Sequence, residues 1–207
     1  MSFWDESWNC INQEKLKSYI NNFDFSEDDI IEILTENKKN KILDAGCGCG
    51  IYALKLAKNG FDVDGFDIAD SAVTIATKIM KDNGFNGNFI GADIKETGFQ
   101  SELYDAVVCK DVIDHMKKSD AKLAVKELSR LIKKEGLLII TVDSLDDEYL
   151  TEKHIIDDDN NYYFCSGKWN GMFFHPYDEE ELNELVLNNR SHYIKNSKDG
   201  LMLVLKK

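Results

Sequence analysis

From residue 26 onward the apolar and polar positions switch repeatedly between two periods. Segments with helical spacing, "SEDDIIEILTEN" (26–37), 51–59, 70–82 and 119–133, alternate with the short runs 41–44, "FDVDGFD", "GNFIGAD", "YDAVVCK" and "GLLIITVD". A repeat near 3.6 residues buries one face of a helix, whereas a short apolar run bounded by turns fits a buried strand. Their alternation predicts parallel strands joined by helical crossovers, an α/β fold. In the helix over 119–133, Ala121, Ala124, Val125, Leu128, Leu131 and Ile132 share the inward face. Gly60, Gly84 and Gly136 stand where helices give way to strands, the place of a left-handed cap.

The rhythm breaks at 144–177, which holds an acidic stretch, the aromatic cluster "NYYFCSGKWNGMFFHPY" and the only proline, Pro176. This reads as an insertion. Beyond it "DEEELNELVLNN" resumes a helix, and "SHYIKNS" and "GLMLVLKK" read as two strands joined through "KDG", so the sheet ends antiparallel. A length of 207 residues fits one domain. Its parts are N-terminal helices (1–38), a core (39–143), the insertion (144–177) and a C-terminal helix with a strand hairpin (178–207).

Three glycines at alternate positions, Gly46, Gly48 and Gly50, sit between the first strand and the next helix in "KILDAGCGCGIYALKLA". Glycine permits positive φ and close backbone approach, and a helix start offers unpaired N–H groups, so a nucleotide-like ligand fits here as well as a plain tight turn does. Open parallel sheets bind ligands at the carboxyl ends of their strands. Polar groups follow each one: Asp67 and Ile68 after the second, "GADI" with Ala92, Asp93 and Ile94 after the third, "CKDVIDHM" with Lys110, Asp111 and His115 after the fourth. Asp67 suits a ribose diol, since Asp70 or Ser71 already serves as the cap of the following helix. A nicotinamide dinucleotide is excluded, because its fingerprint needs a glycine three residues after the second and position 51 is Ile51.

With Asp44 two residues ahead of Gly46, the stretch resembles the first motif of class I S-adenosylmethionine-dependent methyltransferases, hydrophobic-hydrophobic-(Asp/Glu)-x-Gly-x-Gly-x-Gly. The resemblance covers residues 26–143 and the closing hairpin. It implies a Rossmann-like, doubly wound seven-stranded sheet of order 3-2-1-4-5-7-6 with the last strand antiparallel and helices on both faces. It also implies S-adenosylmethionine as cofactor and S-adenosylhomocysteine as product. Asp44, Gly46 and Gly48 border the methionine part, Asp67 binds the ribose, Ile68 packs on adenine, and Asp93 meets its amino group. Cys47, Ala92 and Ile94 complete that set, with Lys110 and Asp111 on the sulfonium side. "CKDV" in place of Asn-Pro-Pro-Tyr counts against adenine or amide nitrogen as acceptor.

The implied activity is in-line methyl transfer to a small molecule, the alternatives being a protein methyltransferase or a non-catalytic S-adenosylmethionine-binding module. Alignment and exclusion of water lower such a barrier, and a base is needed only if the acceptor must lose a proton. His115, His154, His175 and Asp111 are the candidates, although the ring of His115 also suits simple packing. The insertion aromatics wall an acceptor pocket or form a satellite core. Phe3, Trp4 and Trp8 close over the cleft, pack on a helix or meet a second copy.

A net charge of −13 with scattered lysines opposes a nucleic-acid partner. No apolar run approaches the roughly 20 residues of a membrane span, and the start lacks a secretory pattern, so a soluble cytoplasmic protein is expected, as monomer or homodimer. The five cysteines are expected reduced. No metal site is expected: Cys47 and Cys49 have no second ligand pair, and "DSLDDEY" and "DDDNN" lack calcium-loop spacing.

Overall fold

A computed structural model describes residues 3–186 and 191–207. Three helices come first, α1 (Phe3–Asn9), α2 (Gln13–Asn22) and α3 (Asp29–Glu36). Then strands and helices alternate: β1 (Lys41–Ala45), α4 (Ile51–Lys58), β2 (Asp62–Asp67), α5 (Asp70–Asp82), β3 (Phe89–Gly91), β4 (Tyr104–Lys110), α6 (Lys118–Leu131) and β5 (Ile132–Asp143). The insertion holds α7 (Asp147–Leu150), β6 (His154–Ile156), β7 (Tyr162–Phe164) and β8 (Phe173–Phe174), and the chain closes with α8 (Glu179–Leu185), β9 (His192–Asn196) and β10 (Gly200–Lys206). The expected C-terminal helix through residue 189 reaches 185, and 187–190 lie outside the described residues.

The main sheet has the order β3-β2-β1-β4-β5-β10-β9, which is 3-2-1-4-5-7-6 when only its own strands are numbered. β10 runs antiparallel to both neighbours; the other described pairings are parallel. Both faces are covered because neighbouring residues on each strand point to opposite sides. Ile42, Val108, Ile139 and Val204 pack under α3, α4 and α5, whereas Leu43, Val107, Leu138 and Leu203 pack under α6 and α8.

Two local expectations change. β5 starts directly after α6, so Ile132 is buried as a strand residue rather than as the last of a helix face. Gly60 and Gly84 have the left-handed backbone of helix caps, but at the third site the positive φ falls on Glu135, at 62°. Gly136 answers a shortage of space instead: a Cβ there would lie 2.7 Å from the Lys133 carbonyl and 3.0 Å from that of Asp105. The crowding comes from a bulge, for Tyr104 pairs with Ile132 while Ala106 pairs with Leu137.

The insertion forms its own three-stranded antiparallel sheet, β6-β7-β8. Phe164, Met172 and Phe174 make a satellite core beneath it, with Tyr149, Tyr162 and Trp169 against them and Phe3 and Trp4 arriving from α1. All five cysteines are free thiols, and among the described residues no helix is long and apolar enough to cross a membrane.

Candidate cofactor site and active site

The carboxyl ends of β1, β2, β3 and β4 converge on a cavity of about 450 Å³. The glycine turn is pinned to β2 because the N–H groups of Gly46 and Cys47 both donate to the Phe66 carbonyl at 2.9 Å. Protein, rather than ligand alone, excludes side chains from this turn. Gly50 has φ 80°, and a Cβ on it would stand 2.8 Å from the Ala76 Cα, so it lets α4 and α5 approach backbone to side. A Cβ on Gly48 would lie 2.8 Å from the ring of Trp8, which α1 lays against the turn.

Asp44 is 2% exposed, and its Oδ2 has no hydrogen-bond partner in the structure. Burial, then the neighbouring Asp67, pushes its carboxyl up to about 7, against the pull of Lys110. Asp67 is less free than its sequence position implied. Its Oδ2 accepts from the Gly48 N–H at 2.8 Å and its Oδ1 from the Ala69 N–H at 2.9 Å. The expected cap on Asp70 or Ser71 is absent; Ala69 is the N-cap of α5, and Asp67 satisfies its amide instead. Each Asp67 oxygen keeps a second lone pair for a ligand hydroxyl. Burial raises its carboxyl, and the backbone amides oppose that rise.

Cys47 lines the same wall, but burial lifts its thiol far above the ordinary value and that of Cys49 to about 11. Both are neutral packing groups. Ile68, flanking the cavity after β2, is 60% exposed, an apolar surface turned to the opening. Ala92, Asp93 and Ile94 form the next wall, where Asp93 accepts from the Lys95 N–H at 2.9 Å. Asp111 holds a left-handed backbone, φ 54°, uncommon for a non-glycine residue. It is over-determined by Thr141, which accepts from its N–H and donates Oγ1–H to its Oδ1 at 2.6 Å, while Oδ2 pairs with Lys110.

His115 lines the cavity on the short turn Ile113–His115 after β4. Its Nδ1 lies 3.1 Å from the Phe173 carbonyl. A carbonyl only accepts, so this assigns the proton to Nδ1 and leaves Nε2 as the basic nitrogen of the neutral ring. Trp4 and Phe174 meet the ring edge-on at 4.8 and 5.6 Å between centroids. Its neighbour Asp114 is fully buried, accepts from the Asp143 N–H at 2.9 Å, and is pushed up to about 6 mainly by that burial.

His175 does not join this group. It is fully buried outside the cavity lining, with Nδ1 3.0 Å from Asn161 Oδ1, Nε2 3.1 Å from Glu181 Oε2 and its N–H donating to the Asp114 carbonyl. It ties the insertion to α8 as a structural clamp. His154, on β6 with Nδ1 2.8 Å from the Glu152 carbonyl, also lies outside the lining, whereas Asp44, Gly46, Cys47 and Gly48 on the turn, Asp67 and Ile68, Ala92 to Ile94, Lys110, Asp111 and His115 all border the cavity.

The aromatic cluster of the insertion does not line the cavity; Phe164 and Phe174 are buried in the satellite core, and the segment touches cavity-lining residues from behind, through the Phe173 carbonyl and the Phe174 ring on His115 and through the satellite core on Trp4. The aromatic wall comes from the N-terminal helices and α4 instead: Trp4, Trp8, Tyr19, Phe23 and Tyr52. Tyr19, Phe23 and Tyr52 sit in no motif, and their signal was at most an i, i+4 aromatic pair on α2. Among the described residues no group of three or more His, Cys, Asp or Glu is placed to hold a metal.

A doubly wound sheet whose first strand feeds a glycine turn, and whose second ends in a buried acid, defines a Rossmann-like domain for a nucleoside cofactor. Residues 42–136 match the family model of a methyltransferase domain. The chain is 34% identical over 132 residues to the ubiquinone biosynthesis O-methyltransferase of Rickettsia canadensis, covering 64% of this chain and 52% of that one. It spans about half the length of the curated relatives it matches. Two solved structures share the fold: the PH0226 protein of Pyrococcus horikoshii (TM-score 0.71, 22% identity, 95% and 93% of the two chains) and a methyltransferase of Methanosarcina mazei (0.68, 19%, 88% and 98%). Residues 42–136 thus carry a methyltransferase domain of the class I, Rossmann-like kind, for which S-adenosylmethionine is the cofactor.

The residues fit that group. The unpartnered, buried Asp44 Oδ2 is an acceptor for an ammonium, Asp67 retains lone pairs for ribose hydroxyls, and Ile68 offers the apolar face that a purine needs.

Proposed function

We propose that this protein transfers a methyl group to the hydroxyl of a small, largely apolar molecule in the cytoplasm, with His115 as general base. The observation that carries this reading is the Nδ1–H of His115 on the Phe173 carbonyl, which leaves Nε2 to take a proton at the cavity wall. The Rickettsia relative is named an O-methyltransferase, which supports oxygen as the receiving atom. The aromatic walls Trp4, Tyr19 and Phe23 suit an apolar ring, and five free thiols suit a reducing compartment.

When bound, S-adenosylmethionine supplies a methyl already activated on a sulfonium. The chain's own residues do the rest. Asp44, Gly46, Cys47 and Gly48 hold the methionine end, Asp67 the ribose, and Ile68, Ala92, Asp93 and Ile94 the base. Trp4 and Trp8 exclude water, and the strained Asp111 with Lys110 fixes the wall between cofactor and acceptor. His115 accepts the hydroxyl proton at Nε2 as oxygen becomes nucleophilic. Incubation with labelled-methyl cofactor and a panel of phenols and catechols tests this. His115→Ala is expected to lower kcat by about 10²- to 10⁴-fold while leaving S-adenosylhomocysteine affinity unchanged. Undiminished turnover in that variant removes the base from His115.

A further inference from the structure

The cavity end between β1 and β4 carries one group of each sign. Asp44 pairs in register with Val108, so two residues further along each strand Lys110 stands level with Gly46, at the point where the strand order reverses. Asp44 presents the unpartnered Oδ2, and it feels the charge of Lys110 directly. Among the described residues, the lysines lining the cavity are Lys95 and Lys110. Lys95 lies beyond β3, between Asp93 at 3.8 Å and Asp120 at 3.6 Å, at the opposite end. Lys110 is held by one carboxylate oxygen of Asp111, whose other oxygen is taken by Thr141. An ammonium has three donors, so this pairing orients Lys110 and leaves it able to serve a second acceptor.

We infer that Lys110 binds the carboxylate of the cofactor's amino-acid end, opposite Asp44, so that the two side chains together recognise an α-amino acid zwitterion. The inference rests on the cofactor reading above and goes further by assigning one group of that cofactor to one side chain. Burial acts against the charge on Lys110, yet Asp111 outweighs it and keeps the ammonium above its ordinary pKa. A fixed positive charge in a half-desolvated wall favours an anion more strongly than an exposed lysine does. Asp111 is then the positioning residue for Lys110, and the backbone strain at Asp111 has a use: it turns the carboxylate back toward the residue before it.

Calorimetry on the full chain with two ligands separates this from a merely structural role. S-adenosylhomocysteine carries the amino-acid chain; 5′-methylthioadenosine has the same adenosine and thioether without it. Lys110→Met is expected to weaken S-adenosylhomocysteine tenfold or more, with 5′-methylthioadenosine changed less than twofold, and Lys110→Arg is expected to restore most of the loss. Retained 5′-methylthioadenosine binding also shows that the variant is folded. Equal weakening of both ligands, or none of either, overturns the assignment. Wild-type protein that binds neither nucleoside overturns the cofactor reading itself.

Discussion

The two halves of the active site are built by opposite means. On the cofactor side, backbone does the work: the Phe66 carbonyl takes two turn amides, Asp67 takes a third from Gly48 and the Ala69 amide ahead of α5, and Gly50 lets α5 come within contact of α4. On the side proposed for the acceptor, the wall is made of separate side chains from α1, from α2 and its C-cap, and from α4, and the insertion acts at one remove by gripping His115. Backbone-built sites need glycine and acid at fixed spacing, so they leave motifs. Side-chain walls need only bulk from any nearby segment, so they leave none.

The largest test strikes the backbone-built half. Gly50→Val puts a branched side chain at φ 80° and against the Ala76 Cα, and a loss of at least about 3 kcal/mol is expected in urea unfolding. A well-tolerated valine would show that the turn has slack. In the other half, Phe174→Ala empties the satellite core, at a cost of about 3 kcal/mol, and releases His115 from one side. Turnover should fall more than S-adenosylhomocysteine affinity does; a parallel fall in both would make the halves one unit.

Asp67→Ala is expected to weaken the cofactor by about 1.5–3 kcal/mol. It should also lower the melting temperature, because the Gly48 and Ala69 amides lose their acceptor. The pH test follows from Asp44, raised to about 7 and faced by Asp67, Lys110, the two turn thiols and Tyr52. The folded carboxyl keeps a proton that the unfolded chain releases near pH ~4, so this group's contribution to stability is full below that and is lost as pH rises through about 7. Ligand affinity runs the other way, since an ammonium needs Asp44 ionised. S-adenosylhomocysteine is expected to tighten as pH rises from ~6 to ~8, by at most about tenfold per unit, with 5′-methylthioadenosine flat. The smallest effect belongs to Tyr163→Ala. Tyr163 shares the outer face of the small sheet with Ile155 and Phe173, away from the cavity, so kcat and cofactor affinity should stay within about twofold of wild type.

Much of the cofactor half was legible before any coordinates. The glycine turn, Asp67 after β2, "GADI" after β3 and "CKDVIDHM" after β4 each contribute residues to the cavity wall, and the strand order follows the expected one. Two places needed the structure: His175, a candidate base by its sequence position, is buried between Asn161 and Glu181, and of the two readings of the insertion aromatics the satellite core is the one found. Both outcomes have one source: residue type shows what a side chain can do, whereas its neighbours decide whether it is free to do it.

The sequence by itself determined the alternation of strands and helices, the glycine turn and the acids at strand ends, because each depends on local spacing and on backbone that only certain residues permit. Tertiary structure alone decided that Trp8 lies on Gly48, that Asp67 takes the Gly48 amide, that the Phe173 carbonyl sets the proton on His115, and that Asp44 is left with an unpaired oxygen beside Lys110. These contacts join residues far apart in the chain, 58 positions in the case of His115 and Phe173, and burial and hydrogen-bond satisfaction exist only once the chain has closed around them.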